Sequence, residues 1–94
     1  MINASIQILP VVEDMHPYEW VGEAIGIIQQ SGIHYQVGPF ATVLEGRYDD
    51  VMKVIHEVNE HLFRRGCAEW IGSLQIQIRS GADMTSLEKT AKYS

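Results

Sequence analysis

The chain has one cysteine and seven basic side chains in 94 residues, and each scarcity closes off a class of protein. A single thiol, Cys67, excludes an intramolecular disulfide framework. Seven Lys and Arg against twelve Asp and Glu give a net charge of -5, and the only basic cluster is Arg64-Arg65. Binding to nucleic acid depends on phosphate neutralisation by a basic surface, so no nucleic-acid partner is expected. No apolar run is long enough to span a membrane and no secretory leader pattern is present, so the expectation is a cytoplasmic protein with no membrane partner. Neither GxGxxG nor GxxxxGK[ST] occurs, which removes the usual dinucleotide and P-loop sites.

What is present is ordered alternation. Hydrophobic residues make up 46% and charged residues 20% of the chain, the composition of one ordinary globular domain, expected to span 1–94. In residues 3–12, Ala4, Ile6 and Ile8 alternate with Ser5, Gln7 and Leu9, the period of a half-buried strand, and Pro10 marks its end as an edge or bulge. His16-Pro17 opens a helix, with proline in the first turn where its missing N–H costs nothing. Val21, Ala24, Ile25 and Ile28 form its apolar stripe, and Ser31-Gly32 ends it. Gly26, costly in mid-helix, is read as a close-packing position.

Ile33, Tyr35 and Val37 alternate with His34 and Gln36 as a second strand. Gly38-Pro39 then turns the chain into a third strand over 41–45. A second helix is predicted from Asp49, as N-cap, to Arg65, with a buried stripe of Val51, Ile55, Val58 and Leu62. Arg64 and Arg65 suit its negative C-terminal end and Gly66 its left-handed stop. In the fourth strand, over 70–79, Leu74, Ile76 and Ile78 alternate with Ser73, Gln75 and Gln77. Thr85-Ser86-Leu87-Glu88 has the spacing of a capping box, which predicts a short C-terminal helix over about 85–93.

The element order β-α-β-β-α-β is that of the split βαβ, or ferredoxin-like, sandwich of the α+β class: a four-stranded antiparallel sheet with two helices on one face. If Ile6, Ile8, Tyr35, Val37, Leu74, Ile76 and Ile78 face the helices, the other sheet face shows Ser5, Gln7, Leu9, His34, Gln36, Ser73, Gln75, Gln77 and Arg79. A face in free contact with water usually carries Lys and Glu. Uncharged amides and hydroxyls suit a partly desolvated face instead, and a domain this small buries little surface alone, so self-association as a dimer or tetramer is expected.

No catalytic set stands out. His56 and His61 are five residues apart, hence about 140° apart around a helix, and do not form the four-residue HExxH pair. They read as i,i+4 partners of Glu60 and Glu57, and no metal or cofactor is expected. The serines lack any nucleophile-elbow flank, and Cys67 reads as a small buried hydrophobe. The polar and aromatic candidates left are Thr42, Glu45, Tyr35, Phe40, Trp20 and Tyr18. Thr42 and Glu45, three apart in a strand, point to opposite faces unless a bulge intervenes.

The strand with Ile8-Leu9-Pro10, the junction Ser31-Gly32-Ile33-His34-Tyr35, the segment Gly38-Pro39-Phe40-Ala41-Thr42-Val43-Leu44-Glu45-Gly46 and the helix opening Tyr48-Asp49-Asp50-Val51-Met52 together resemble the small YkoF-like thiamine-binding family. The similarity covers nearly the whole chain. It implies a ferredoxin-like domain that assembles as dimers or tetramers and binds thiamine or its hydroxymethylpyrimidine moiety without a known reaction. A flat, edge-polar aminopyrimidine needs apolar walls and a few rim donors and acceptors. Tyr35, Phe40 and Trp20 could supply walls; Thr42, Gln7, Ser5 and Glu45 could supply edge contacts, with the Glu45 carboxylate attracting the cationic thiazolium. The other function class left open is an assembly or regulatory module with no small-molecule ligand, whose open sheet face serves only oligomerisation.

Overall fold

The computed structural model describes residues 1–11 and 17–79. Six elements follow in chain order: β1 (Ile2–Pro10), α1 (Pro17–Ser31), β2 (His34–Val37), β3 (Thr42–Gly46), α2 (Tyr48–Arg64) and β4 (Trp70–Gln77). The strands form one antiparallel sheet in the order β2-β3-β1-β4, with both helices on one face, the ferredoxin-like α+β arrangement. The expected C-terminal helix lies outside the described residues.

The two-residue alternation of β1 does what its pattern demands. Ile2, Ala4 and Ile6 are buried under the helices, and the register Ala4↔Ile76 and Ile6↔Leu74 puts the apolar members of β4 on the same face. Leu44 and Thr42 of β3 join them. From α2 come Val51, Val54, Ile55, Val58 and Leu62, the expected stripe widened by Val54.

From α1 the buried line is Trp20, Ala24 and Ile28, spaced four residues apart. Val21 and Ile25, expected in the core, are only half-buried, because α1 turns Trp20 toward the core and leaves them at its flank.

The helix ends show local chemistry at work. Gly32 and Gly66 take positive φ, 79° and 84°, as the stop signals require. At the end of α2, Gly66 N–H donates to Phe63 O at 3.1 Å and Cys67 N–H to Leu62 O at 3.0 Å, the paired bonds of a Schellman motif. Leu62 and Cys67 are both buried beneath it, consistent with Cys67 as a small hydrophobe.

Three local expectations need correcting. The N-cap of α2 is Arg47, in extended conformation and without a side-chain cap, so Asp49 and Asp50 stand inside the first turn. There their charges complement the positive end of the helix dipole. Among the described residues, nothing beyond its own helix backbone comes within 4 Å of where a Cβ on Gly26 would stand, so no neighbouring element packs closely there. His61 turns to Glu23 of α1, at 2.8 Å, and not to Glu57, because the helices cross there and a partly buried carboxylate is nearer. His56 and Glu60 do lie together on the exposed face, 3.8 Å apart.

Candidate functional site

The site arises from a mismatch in strand length. β1 pairs with β4 as far as Pro10↔Trp70, but with β3 only as far as Ile6↔Thr42. From Gln7 to Pro10 the sheet therefore lacks a neighbour on the β3 side among the described residues. Alternate residues of such a run direct their main-chain N–H and C=O groups into the gap.

The β2–β3 turn closes the far side. Gly38 N–H donates to Ala41 O at 2.9 Å, and a Cβ on residue 38 would lie 2.9 Å from that same oxygen, so glycine is required for the turn to be this tight. Pro39 and Phe40 form its tip, and α1 roofs the opening.

The resulting cavity has a volume of about 430 Å³, within the range of small-molecule sites. Its floor is Ile6, Ala24, Ile28, Thr42 and Val58, all buried. Val21 and Ile25, displaced from the core, line the α1 side. The rim carries Leu9, Val37, Tyr18 and Phe40, all exposed. No Asp, Glu, Lys, Arg or His lines it among the described residues.

Thr42 is the buried polar side chain of this floor, 7% exposed, and its hydroxyl makes no hydrogen bond to protein among the described residues. A hydroxyl at an apolar floor offers one donor and two acceptors to whatever enters.

The cavity brings together four of the residues singled out in the sequence: Gln7, Tyr18, Phe40 and Thr42. The other four stand elsewhere. Glu45 pairs in register with Asn3 and His34, on the sheet face away from the helices, and Ser5 is on that same face opposite Gln75. Tyr35 packs half-buried against the core from the helix side. Trp20 is a core residue, 3% exposed, whose indole Nε1 is buried without a partner among the described residues. The lining also contains residues not expected as ligand contacts, Leu9 and Ala41 among them, because a gap between strands of unequal length leaves no one-dimensional signal.

The second feature of functional interest is the open sheet face. Register places Asn3, Ser5, Gln7, Leu9, Val43, Glu45, His34, Gln36, Ile71, Ser73, Gln75 and Gln77 there. It is rich in uncharged amides and also shows apolar surface, with Leu9 54%, Val43 42% and Ile71 52% exposed. No group of three His, Cys, Asp or Glu suited to a metal ion occurs among the described residues.

The most polar cluster lies away from both features. Arg65 donates to Glu23 through Nε at 2.8 Å and Nη2 at 3.2 Å, with His61 on the same carboxylate. The Arg65 guanidinium first, and the His61 ring second, hold the Glu23 carboxyl below its usual range, and the same contact raises Arg65.

Comparison with known proteins agrees with this architecture. A family model described as thiamine-binding protein matches residues 4–94. A UPF0045 protein of Clostridium perfringens is 36% identical over 91 residues, covering 97% of this chain and 95% of its own. Among solved structures, a domain of unknown function, DUF77, from Bacillus cereus is 32% identical with a TM-score of 0.80, over 99% of this chain and 89% of its own. A Thermotoga maritima protein proposed to act in thiamine biosynthesis or salvage is 30% identical with a TM-score of 0.78, over 99% of this chain and 98% of its own. With a match of this extent and relatives this similar, the chain belongs to the thiamine-binding protein family.

Proposed function

We propose that the chain is a non-catalytic, cytoplasmic binding protein for thiamine or a related hydroxymethylpyrimidine compound, built as a single domain over 1–94, and that the cavity between α1, β1 and the β2–β3 turn is its site. The observation that carries this reading is the unclaimed Thr42 hydroxyl on the buried floor of an uncharged, largely apolar cavity of about 430 Å³. An aminopyrimidine is flat, apolar on its faces and rich in donors and acceptors at its edge. Apolar walls would take the faces, while Thr42 and the main-chain groups of the β1 run would take the edge. Gln7 adds to the lining along β1, and Phe40 stands at the mouth.

Binding without turnover is the simpler reading of such a lining, since general acid–base and nucleophilic steps need a carboxylate, imidazole, thiol or amine at the reacting atoms. Glu45, Tyr35, Ser5 and Trp20 enter the proposal only indirectly. Tyr35 and Trp20 support the walls through the core, and Glu45 and Ser5 belong to the open face.

The test is calorimetric titration with thiamine and with hydroxymethylpyrimidine, backed by thermal unfolding. A ligand present at about a hundred times its dissociation constant should stabilise the fold by about 2.7 kcal/mol. If neither compound binds nor shifts the melting temperature, the reading is wrong.

A second reading is favoured by the open sheet face, where Leu9, Val43 and Ile71 stand among uncharged amides. A second copy of this chain, as dimer or tetramer, would cover that face without opposing many charges. In this reading the protein is an assembly or regulatory module with no small-molecule ligand. Binding of thiamine-related compounds separates the two, and light scattering tests the association itself.

A further inference from the structure

The cavity is graded from floor to mouth, and a two-ring ligand would meet the two ends differently. At the floor, Thr42 is 7% and Ala24 3% exposed, with Val58 fully buried beside them. At the mouth stand two large aromatic side chains from different elements: Tyr18, in the first turn of α1, 80% exposed, and Phe40, at the tip of the β2–β3 turn, 82% exposed. Aromatic side chains this exposed beside an apolar cavity mark a surface that something covers.

Thiamine joins a neutral aminopyrimidine to a permanently cationic thiazolium. A cation moved onto an uncharged, apolar floor would lose its hydration without compensation, so the neutral ring is the half that enters. The cation must then remain at the mouth. No carboxylate lines the cavity there among the described residues, and Glu45 lies on the opposite sheet face. Among the described residues, what the mouth offers a cation is the negative faces of two aromatic rings.

We infer that Tyr18 and Phe40 form an aromatic clamp at the cavity mouth that holds the thiazolium ring by cation–π contact, while the pyrimidine occupies the Thr42 floor. This rests on the thiamine reading above and adds to it a residue, Tyr18, and a division of labour between the two ends. Phe40 is preorganised for this role, since Pro39 precedes it and the Gly38 to Ala41 hydrogen bond closes the turn around it. Little ordering cost therefore accompanies binding. The net charge of -5 further favours approach of a cation.

The test compares two ligands on four proteins: the unmodified chain, Tyr18→Leu, Phe40→Leu and Tyr18→Phe, each titrated with thiamine and with hydroxymethylpyrimidine. The high exposure of the Phe40 side chain leads us to expect an unchanged melting temperature for Phe40→Leu in the absence of ligand, and the same measurement checks that both Tyr18 variants are folded. Each leucine variant should weaken thiamine about tenfold while changing hydroxymethylpyrimidine by less than about twofold, and Tyr18→Phe should bind both as the unmodified chain does. Equal losses for both ligands, or undiminished thiamine affinity in the leucine variants, would overturn the clamp and leave the binding proposal standing. Binding of hydroxymethylpyrimidine but not thiamine by the unmodified chain would do the same. Binding of neither ligand removes the reading on which the clamp rests.

Discussion

Arg65, just past the end of α2, grips Glu23 of α1 through two guanidinium nitrogens, at 2.8 and 3.2 Å, and so ties together the two helices that roof the sheet. With His61 on the same carboxylate, this is a polar clasp on the helix layer, remote from the cavity.

The clasp has a pH signature. Glu23 has its folded-state pKa depressed, chiefly by hydrogen bonding from Arg65, so it adds stability above the ordinary carboxylate range that is lost as pH falls through its lowered folded value. Glu23→Gln should remove that part of the acid sensitivity, so that the stability gap between variant and parent narrows from neutral pH down to about pH 3. Urea midpoints across that range measure it; a gap independent of pH would show that the clasp adds no charge-dependent stability. Added salt should narrow the gap too, because Arg65 is largely exposed.

Thr42→Val keeps the shape of the cavity floor and removes its hydroxyl. If that hydroxyl meets a ring nitrogen or amine, thiamine affinity should fall by about 1 to 3 kcal/mol with the fold intact. Calorimetry decides: unchanged affinity removes Thr42 as an edge contact.

Gly38→Ala places a methyl group 2.9 Å from the Ala41 carbonyl oxygen, which is backbone and cannot swing aside. Forcing the turn open should cost about 1 to 3 kcal/mol, read as a lower denaturation midpoint. It should also weaken ligand binding, because Phe40 rides on the same turn. A midpoint equal to that of the parent would mean that the turn has room the geometry does not show.

Gln75→Glu and Gln77→Lys each put a charge on the open sheet face without touching the core. If a second copy covers that face, either change should shift the association equilibrium toward monomer, since a charge would enter a partly desolvated contact. Light scattering on parent and variants at micromolar concentration checks this, and a parent that is already monomeric refutes self-association through the face.

Much of the fold was legible from spacing alone. Ala4, Ile6 and Ile8 against Ser5, Gln7 and Leu9 sorted β1 into two faces, because a strand's side chains alternate whatever lies beside it. Gly32 and Gly66 marked helix ends because glycine takes the left-handed conformation without penalty. Thr42 and Glu45 were separable onto opposite faces by the same parity, and the register places them so.

Partnership between elements was decided only by tertiary structure. Nothing local tells His61 and Arg65 that Glu23, some forty residues earlier, lies within reach, since that depends on how α1 and α2 cross. Val21 and Ile25 share the helical spacing of core residues, yet the rotation of α1 that buries Trp20 leaves them on the cavity wall. The cavity itself exists because β3 begins opposite Ile6 while β1 continues to Pro10. Periodicity along one strand determines which face a residue takes; where a neighbouring strand stops is settled by packing among all six elements, and that is what brings Gln7, Phe40 and Thr42 to one place.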